Sequence, residues 1–393
     1  MTVKEKPHKY QEIYADLRQL IRSGSYGRGQ RLPSEAELTV RYKASRVTVA
    51  RALRDLQIEG VIERRAGSGS YVREVEHSEL RFGLLIPDLG RTEIFEPICQ
   101  GMSQAGRSSQ YALVWGNGIP GSDEPLQAEQ LCQYYVSKRV SGVFFAPLEL
   151  TPAKDEVNRR IVQSLDNANI PVVLLDRDID AYPRRSRYDV VGIDNRRAGY
   201  TITEHLVQLG CERVVFVGRS NSASTVDARI AGYREALFSY ERQFSLEFVQ
   251  RIDPCDSSVV EQMLRMVRPE ACVCANDLTA AHLMRTLATL GSRVPQDIRV
   301  AGFDDVKYAS LLPVSLTTVR QPCLEIGAAA VAAMLERVVH PETPARDILL
   351  DFRLVVRDSC GSKLNATSQE QSTSSPVSPR RKREAALESR QLA

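Results

Sequence analysis

Apolar and polar positions in the first eighty residues follow the periods of short helices and one hairpin. One face of a first helix collects apolar side chains at helical spacing, namely Tyr10, Ile13, Tyr14, Leu17, Leu20 and Ile21. A capping box from Ser34 to Glu37, directly after Pro33, predicts the start of a second helix. Because an apolar face must be covered, these helices are expected to pack together around one small core.

A third helix is predicted to begin at Ser45 and to end near Gly60. Its apolar stripe consists of Val49, Ala52, Leu53 and Leu56. Its opposite face carries Arg46, Thr48, Arg51 and Arg54. Two short helices joined by a tight turn, with a cationic face on the second, fit the major groove of DNA. The alternative is a small three-helix domain whose charges are simply solvated.

A basic hairpin is predicted after the third helix. Residues 61–65 and 70–73 flank a tip that contains Gly67 and Gly69, which is the pattern of a flexible wing. Helices and wing together resemble the GntR family of winged helix-turn-helix regulators over residues 8–73. The likeness is carried by Leu32–Leu38, Ser45–Val49, Ala52, Leu53, Leu56, Gly60 and the wing tip. The resemblance implies DNA contacts at Lys9, Tyr10, Glu35, Ser45, Arg46, Val47, Thr48, Arg51 and Gly67.

From Arg81 onward, short apolar strands alternate with amphipathic helices. Strands are predicted at Phe82–Ile86, Ala112–Trp115, Gly142–Ala146, Val172–Leu175, Val190–Ile193, Val214–Gly218, Cys272–Ala275 and Val300–Phe303. This alternation predicts an α/β fold with doubly wound parallel sheets. No GxGxxG sequence follows a strand and no Walker loop is present, so nothing in the sequence indicates a nucleotide site.

Several stretches of this body resemble the effector domain of the LacI/GalR family, which has the fold of periplasmic sugar-binding proteins. They are Ile170–Arg177, Val191–Tyr200, His205–Gly218, Arg229–Tyr233, Ala275–Asp277, Val300–Asp305 and Leu316–Pro322. A GntR-type winged helix joined to such a domain is the arrangement of arabinose-repressor-like regulators. The resemblance implies two lobes, about 81–176 with 305–320 and 177–304 with 321–358, and a sugar effector between them.

Polar residues at the carboxyl ends of predicted strands are candidates for the effector site, since ligands of open α/β sheets bind there. Asp88, Asp176, Asn276 and Asp304 each follow a strand, and Arg197 opens a helix. The resemblance places Asp176, Arg197, Asn276 and Asp304 at hydrogen bonds to the ligand, and Phe95 and Tyr233 at aromatic contacts with it. Carboxylates, an amide, a guanidinium and aromatic rings suit the hydroxyls and apolar face of a sugar. Each of these residues can instead cap a helix or tie a loop, the role favoured for Asp194 and Asp277.

Charge is distributed unevenly along the 393 residues. Residues 1–75 hold 15 Lys and Arg against 9 Asp and Glu, whereas residues 76–360 hold 31 against 37. A basic first module on an acidic body is expected of a protein that binds nucleic acid through that module alone. We therefore expect a DNA-binding domain over 1–73, a linker over 74–80, an effector domain over 81–358 and a disordered, polar tail over 359–393.

The leading functional hypothesis is a ligand-responsive transcriptional repressor of carbohydrate-utilisation genes. It would bind an inverted-repeat DNA operator as a homodimer and act in the cytoplasm, on the nucleoid when bound to DNA. The start of the chain has no apolar leader and no run of 18 apolar residues occurs, so no membrane association is expected. The 8 cysteines and 5 histidines show no metal-ligand spacing, so neither a metal nor a cofactor is expected. A solute-binding protein or a doubly wound enzyme that acts on a sugar are the alternatives.

Overall fold

The computed structural model describes residues 9–22, 25–27, 29–58, 60–65, 67–72, 80–86, 93–105, 111–116 and 123–362. The chain divides after residue 79 into two compact units. Most of the predicted linker, 74–79, lies outside the described residues, and Leu80 already begins the first strand of the second unit. None of the helices in these ranges is long and apolar enough to cross a membrane.

The first unit has the predicted winged helix-turn-helix fold. It contains α1 (Lys9–Arg22), α2 (Glu35–Tyr42), α3 (Arg46–Ile58) and the antiparallel hairpin of β1 (Ile62–Arg65) and β2 (Gly69–Val72). Ser34 and Glu37 form the capping box at the start of α2. One core joins all these elements, and its buried residues are Ile13, Leu17, Leu32, Leu38, Val49, Ala52, Leu53, Leu56, Ile62 and Val72. The expected stripe of α3 is therefore the face that this core covers.

The second unit contains two six-stranded sheets, each flanked by helices, which confirms the predicted α/β architecture. The first sheet is entirely parallel, in the order β13-β7-β6-β5-β3-β4. Its strands are β3 (Leu80–Leu85), β4 (Tyr111–Trp115), β5 (Gly142–Phe145), β6 (Val172–Leu175), β7 (Asp189–Ile193) and β13 (Asp347–Leu350). Its helices are α4 (Phe95–Ala105), α5 (Glu124–Lys138), α6 (Lys154–Asn167) and α11 (Cys323–Val339). These elements form lobe 1.

The second sheet has the order β14-β12-β11-β10-β8-β9, and only the β12–β14 pair is antiparallel. Its strands are β8 (Val214–Gly218), β9 (Val249–Arg251), β10 (Ala271–Cys274), β11 (Arg299–Asp304), β12 (Thr317–Arg320) and β14 (Arg353–Val355). Its helices are α7 (Asn195–Gln208), α8 (Ser224–Ser239), α9 (Ser257–Val267) and α10 (Asp277–Thr289). These elements form lobe 2.

The chain crosses between the lobes three times, between β7 and α7, between β12 and α11, and between β13 and β14. The predicted lobe limits were wrong on this point. Residues 177–193 belong to lobe 1 because β7 pairs with β6, and residues 305–320 belong to lobe 2 because β12 pairs with β11. Helix α11 returns to lobe 1 because its apolar face packs against α4. The crossovers can be recognised only from these strand and helix pairings.

The ordered chain extends past the predicted start of the tail at residue 359. A short 3-10 helix covers Asp358–Cys360, and its Ser359 and Cys360 are buried. The Ser359 hydroxyl donates to the Val300 carbonyl at 2.6 Å and accepts from the Thr317 amide at 2.8 Å. These bonds tie the segment to β11 and β12, so residues 359 and 360 belong to lobe 2. The rest of the predicted tail, from residue 363, lies outside the described residues.

Candidate effector site and DNA-binding surface

A small cavity of about 50 Å³ lies between the two lobes at the carboxyl ends of their strands. Lobe 1 contributes Glu149, Asp176 and Arg177, and lobe 2 contributes Arg229 and Asp304 among others. Thr225, Asn276 and Tyr308 are further polar residues of lobe 2 in the lining. A larger cavity of about 1030 Å³ adjoins it and shares its Asp304 and Tyr308. The cavity therefore has polar groups of both lobes in its wall.

On the side of lobe 1, two consecutive residues follow β6 and turn into the cavity. Asp176 has a left-handed backbone with φ of 67°, and its Oδ1 is buried without a hydrogen-bond partner in the described part of the chain. Arg177 forms an ion pair with Glu149, while its buried Nε also lacks a partner there. Buried polar atoms in folded proteins are nearly always paired. These two atoms are thus the positions where a ligand would supply the missing bonds.

On the side of lobe 2, Arg229 projects from α8 and is held by several neighbouring groups. Its Nε donates to Asn195 Oδ1 at 2.8 Å, one Nη donates to the Ala275 carbonyl at 2.6 Å, and the guanidinium lies 4.4 Å from the centre of the Phe303 ring. The other Nη lies 3.6 Å from Asp304 Oδ1. A guanidinium with all but one edge occupied is fixed in orientation and presents that edge to the cavity.

Close packing of α7 against α8 sets the position of this arginine. Gly199 of α7 and Gly232 of α8 face each other across the contact. A Cβ atom at Gly199 would overlap the backbone carbonyl of Arg229, and one at Gly232 would overlap that of Arg196. The two glycines therefore allow the helices to approach at backbone distance, which brings Arg229 to the cavity wall.

Two further lobe 2 residues that line the cavity have divided roles. Asn276 caps α10, because its Oδ1 accepts from the Thr279 amide at 2.8 Å. Its Nδ2 makes no hydrogen bond in the described part of the chain and remains available as a donor. Asp304 ends β11 with φ of 108°, and its Oδ1 accepts from Gln321 Nε2 at 2.8 Å. Donors and acceptors thus alternate around the same space.

Burial controls the electrostatics of this site. It raises the pKa of Asp176 and of Asp304, although the Arg177 and Arg229 guanidinia oppose the shift for Asp176, and Arg229 does so for Asp304. Burial alone would also raise the pKa of Glu149, but the charge of Arg177 and its hydrogen bond outweigh burial and lower it. Glu149 is thus committed to its ion pair, whereas the two aspartates are acceptors without a full complement of partners.

Three hydrogen bonds join the lobes beside the cavity. Glu149 Oε2 accepts from the Ala223 amide at 3.1 Å, and the Leu150 amide donates to the Asn221 carbonyl at 2.6 Å. The Ser224 hydroxyl donates to the Asp178 carbonyl at 2.8 Å. All three use the segment that leads into α8 of lobe 2. The helix that carries Arg229 is therefore connected directly to lobe 1.

The structure brings together Asp176, Asn276 and Asp304 of the predicted effector residues. Phe95 is buried and does not line the cavity; its ring lies 5.5 Å from the Arg177 guanidinium and supports that residue from behind. Asp88 lies outside the described residues.

Besides Phe95, two other predicted ligand contacts do not line the cavity. Arg197 forms an ion pair with Asp351 and lies 4.6 Å from the Phe352 ring, so it holds the third crossover and does not reach the cavity. Tyr233 is fully buried in the core, where its hydroxyl donates to the Val214 carbonyl at 2.7 Å. Asp194 caps α7 and Asp277 binds Thr318 and the Val306 amide, which are the structural roles favoured for both.

Glu149, Arg177, Arg229 and Tyr308 are among the residues that line the cavity and were not predicted from the sequence. Arg229 lies in the same short motif as Gly232 and Tyr233. A signal was available there, because an arginine at the fourth position before a tyrosine shares one helix face with it. The motif led to a prediction for Tyr233, whereas Arg229 is the residue of this motif that lines the cavity.

In the first unit, the exposed face of α3 carries the predicted cationic side chains. Ser45 caps the helix by accepting from the Thr48 amide at 3.2 Å. Arg46 is exposed and forms no ion pair in the described part of the chain, and the neighbouring Val47 is 80% exposed. An arginine beside an exposed apolar side chain matches the guanine edge and thymine methyl of the major groove.

The other predicted DNA contacts surround this face. Arg51 lies 3.9 Å from the centre of the Tyr10 ring, which links α3 to α1. Glu35 forms an ion pair with Arg64 of the hairpin, and Lys9 pairs with Glu12 at 3.0 Å. Gly67 occupies the wing tip with φ of 74°, a conformation that suits glycine. Glu35 and Lys9 are thus already engaged within the unit.

Known proteins match both units. Residues 9–72 match the bacterial regulatory proteins of the gntR family, and residues 203–360 match the periplasmic binding protein-like domain. The chain is 28% identical to the arabinose metabolism transcriptional repressor of Geobacillus stearothermophilus over 89% of this chain and 97% of that protein. It is 25% identical to the ribose operon repressor of Halalkalibacterium halodurans, over 81% of this chain and 95% of that protein. The structure of the regulator CelR in complex with cellobiose has a TM-score of 0.61 at 22% identity, covering 90% of this chain and 100% of CelR.

The fold, the cavity and the exposed face of α3 define the class as a ligand-responsive, DNA-binding transcriptional regulator. Within that class, the chain joins a winged helix that matches the gntR model to a two-lobed domain that matches the periplasmic binding protein-like model and is similar to a solved putative regulator of the LacI family from Sanguibacter keddieii, at 27% identity with a TM-score of 0.56 over 72% of this chain and 99% of that one.

Proposed function

We propose that this protein is a repressor of carbohydrate-utilisation genes that binds an inverted-repeat operator as a homodimer in the cytoplasm. A sugar bound between the lobes of the second unit lowers its affinity for that operator. The observation that supports the effector role most directly is the unpartnered Oδ1 of Asp176 in the interlobe cavity. The names of the full-length relatives, which are repressors of arabinose and ribose metabolism, agree with a sugar effector.

The chemistry of the cavity favours a neutral polyhydroxyl ligand at its centre. Asp176 and Asp304 accept hydrogen bonds from hydroxyl groups, while Arg229 and the Asn276 amide donate to hydroxyl oxygens. Asp176 belongs to lobe 1 and the other three belong to lobe 2. A ligand that binds all four must bridge the lobes, so its binding energy favours one lobe arrangement over others.

DNA recognition is assigned to α3 and the wing. Arg46, Val47, Thr48 and Arg51 would meet base edges or phosphates in the major groove, and Gly67 would let the wing approach the backbone closely. One winged helix covers only a short half-site. Two copies related by a twofold axis would read two half-sites, which is why we propose a dimer and an inverted repeat.

The test uses the full-length protein and operator DNA recovered from random duplexes by repeated selection. Recovery of an inverted repeat, followed by release of that DNA on addition of one member of a carbohydrate panel, is the expected result. Linkage requires that operator DNA weakens sugar binding by the same factor as sugar weakens DNA binding. The corresponding coupling free energy is commonly about 1–3 kcal/mol. Absence of any enriched duplex would overturn the DNA-binding role. An enriched duplex whose affinity no carbohydrate alters would overturn the effector role.

A further inference from the structure

A third cavity of about 250 Å³ adjoins the interlobe cavity. The two cavities share Glu149, Val226, Asn276 and Leu278 in their walls. A substituent of a ligand bound at the centre would therefore lie next to the third cavity. The chemistry of this cavity differs from that of the centre.

The third cavity is lined by Arg219 and His282, and Arg285 stands directly behind His282. Arg219 is exposed, and its guanidinium makes no hydrogen bond or ion pair in the described part of the chain. Arg285 Nη lies 3.2 Å from His282 Nδ1 and 3.6 Å from Cys255 Sγ, and no carboxylate pairs with it there. Two arginines without counter-ions next to a histidine form a local excess of positive charge.

The carboxylates nearby offset only part of this charge. Glu149 is committed to Arg177 and to the Ala223 amide. Asp253 accepts from the Cys255 amide at 3.0 Å and forms no ion pair in the described residues. Burial and then the charge of Arg285 lower the pKa of His282, Asp253 opposes them, and Arg219 lowers the pKa further by a smaller amount.

We propose that the third cavity is an anion subsite of the effector cleft, which takes a phosphate group carried by a sugar bound at the centre. This inference rests on the proposed function for the sugar and adds the class of substituent. Arg219 would bind the phosphate oxygens directly. Arg285, behind His282, would attract the anion through its own positive charge. The Ser222 hydroxyl lines the same cavity and donates to the Arg219 carbonyl at 2.7 Å, which anchors the backbone of that arginine.

The test is a titration of the full-length protein with inorganic phosphate, followed through the imidazole NMR signals of isotopically labelled histidine. His282→Gln assigns the relevant signal by removing it. We expect the His282 signal to shift saturably and its pKa to rise on binding, because the anion stabilises the imidazolium. His340, which is exposed, should show no saturable shift. A His282 signal that phosphate leaves unchanged, or that moves only as His340 does, would overturn the subsite.

Three variants sharpen the result. Arg219→Gln should weaken phosphate binding roughly tenfold, since a hydrogen bond to a charged group is lost. Asp253→Asn should strengthen phosphate binding, because it removes a negative charge. The asparagine side chain keeps an oxygen that can accept from the Cys255 backbone N–H. Arg265→Gln is the matched control, because Arg265 is an exposed arginine of lobe 2 paired with Glu261. If Arg265→Gln weakens binding as much as Arg219→Gln does, phosphate is only screening surface charge and the subsite is wrong.

Operator binding of the same samples separates this inference from the proposed function. A protein that binds its operator and responds to a neutral sugar, yet shows no phosphate response at His282, contradicts the anion subsite alone. Saturable phosphate binding at His282 in a protein without operator affinity supports the subsite and contradicts the regulatory role.

Discussion

Gln321 Nε2 donates a hydrogen bond of 2.8 Å to Asp304 Oδ1. Gln321 lies in the crossover between β12 and α11 and is buried, whereas Asp304 lies in the wall of the interlobe cavity. The Oε1 atom of Gln321 has no hydrogen-bond partner in the described part of the chain. A side chain of the second crossover thus orients a carboxylate of the candidate effector site. This bond connects the second crossover to the wall of the cavity.

Gln321→Ala is therefore expected to weaken effector binding, although Gln321 does not line the interlobe cavity. Loss of the hydrogen bond leaves Asp304 less well oriented, and we expect about 1–2 kcal/mol less binding free energy for the sugar. Calorimetric titration of the full-length protein measures this change. Gln262→Ala, on the exposed face of α9, should bind the sugar like the wild type. Equal affinities for Gln321→Ala and Gln262→Ala would show that the crossover does not influence the site.

Arg229 and Arg197 are expected to differ in their effect on the ligand response. Arg229→Ala removes a buried donor from the cavity wall, so the sugar should no longer change operator affinity. Arg197→Ala removes an exposed ion pair with Asp351 and a contact with the Phe352 ring, both outside the cavity, and should keep the response, since exposed pairs contribute about 0–1 kcal/mol. Operator titrations with and without the sugar compare the two variants. A response lost with Arg197→Ala and kept with Arg229→Ala would reverse the assignment made from the structure.

Arg46→Ala should reduce operator affinity by roughly 1–3 kcal/mol and relax the sequence preference, if Arg46 contacts a guanine edge. The side chain is exposed and forms no ion pair in the part of the chain described, so its removal should leave the fold intact. Gel-shift titrations against the operator and a single-base variant measure both effects. Arg160→Ala, which removes an exposed arginine of the second unit, is the control. An equal loss on both duplexes would assign Arg46 to a phosphate contact.

Tyr233→Phe tests the core role of a residue first expected at the ligand. The variant keeps the ring and leaves the buried Val214 carbonyl without its donor, so unfolding free energy should fall by about 1–3 kcal/mol. Urea denaturation measures the loss. Sugar affinity of the folded variant should be unchanged, because Tyr233 does not line the cavity. Reduced sugar affinity at unchanged stability would restore Tyr233 to the site.

Asp277 should make stability depend on pH. Burial, and then the charge of Asp304, raise the pKa of Asp277 well above its ordinary value. The folded protein therefore holds this proton more tightly than the unfolded chain does. The resulting stabilisation is fully present below about pH 4 and is lost as pH rises through the raised pKa.

Urea unfolding of the wild type and Asp277→Asn from pH 4 to pH 7 checks this sign. Stability of the wild type, relative to the variant, should decrease with rising pH. Asp297 is the control of opposite sign, because hydrogen bonds from Arg293 lower its pKa to about 2. The stabilisation from ionised Asp297 is present above the ordinary aspartate pKa and is lost only as the pH falls toward its lowered pKa. A wild-type stability that rises relative to Asp277→Asn over this range would contradict the assignment.

The winged helix could be predicted almost completely from the sequence. Its signals are local: a capping box at Ser34, an apolar stripe on α3 and a glycine at the wing tip each act within a few residues. Most strands of the two sheets were found for the same reason, since a run of apolar residues marks a buried strand wherever it lies. The strands that were missed, β9, β12, β13 and β14, all lie outside this rule, being short, polar or at an edge.

The lobe limits and the cavity wall were decided by tertiary structure. Whether residue 190 belongs to lobe 1 depends on the strand that β7 pairs with, and strand pairing over long separations leaves no local signal. The same holds for Arg197 and Arg229, which are both arginines near the start of helices in lobe 2. Only the backbone contact of α7 with α8, permitted by Gly199 and Gly232, brings Arg229 to the cavity and leaves Arg197 at the third crossover. Sequence thus determined the elements and their chemistry, whereas packing between distant elements determined which side chains share a site.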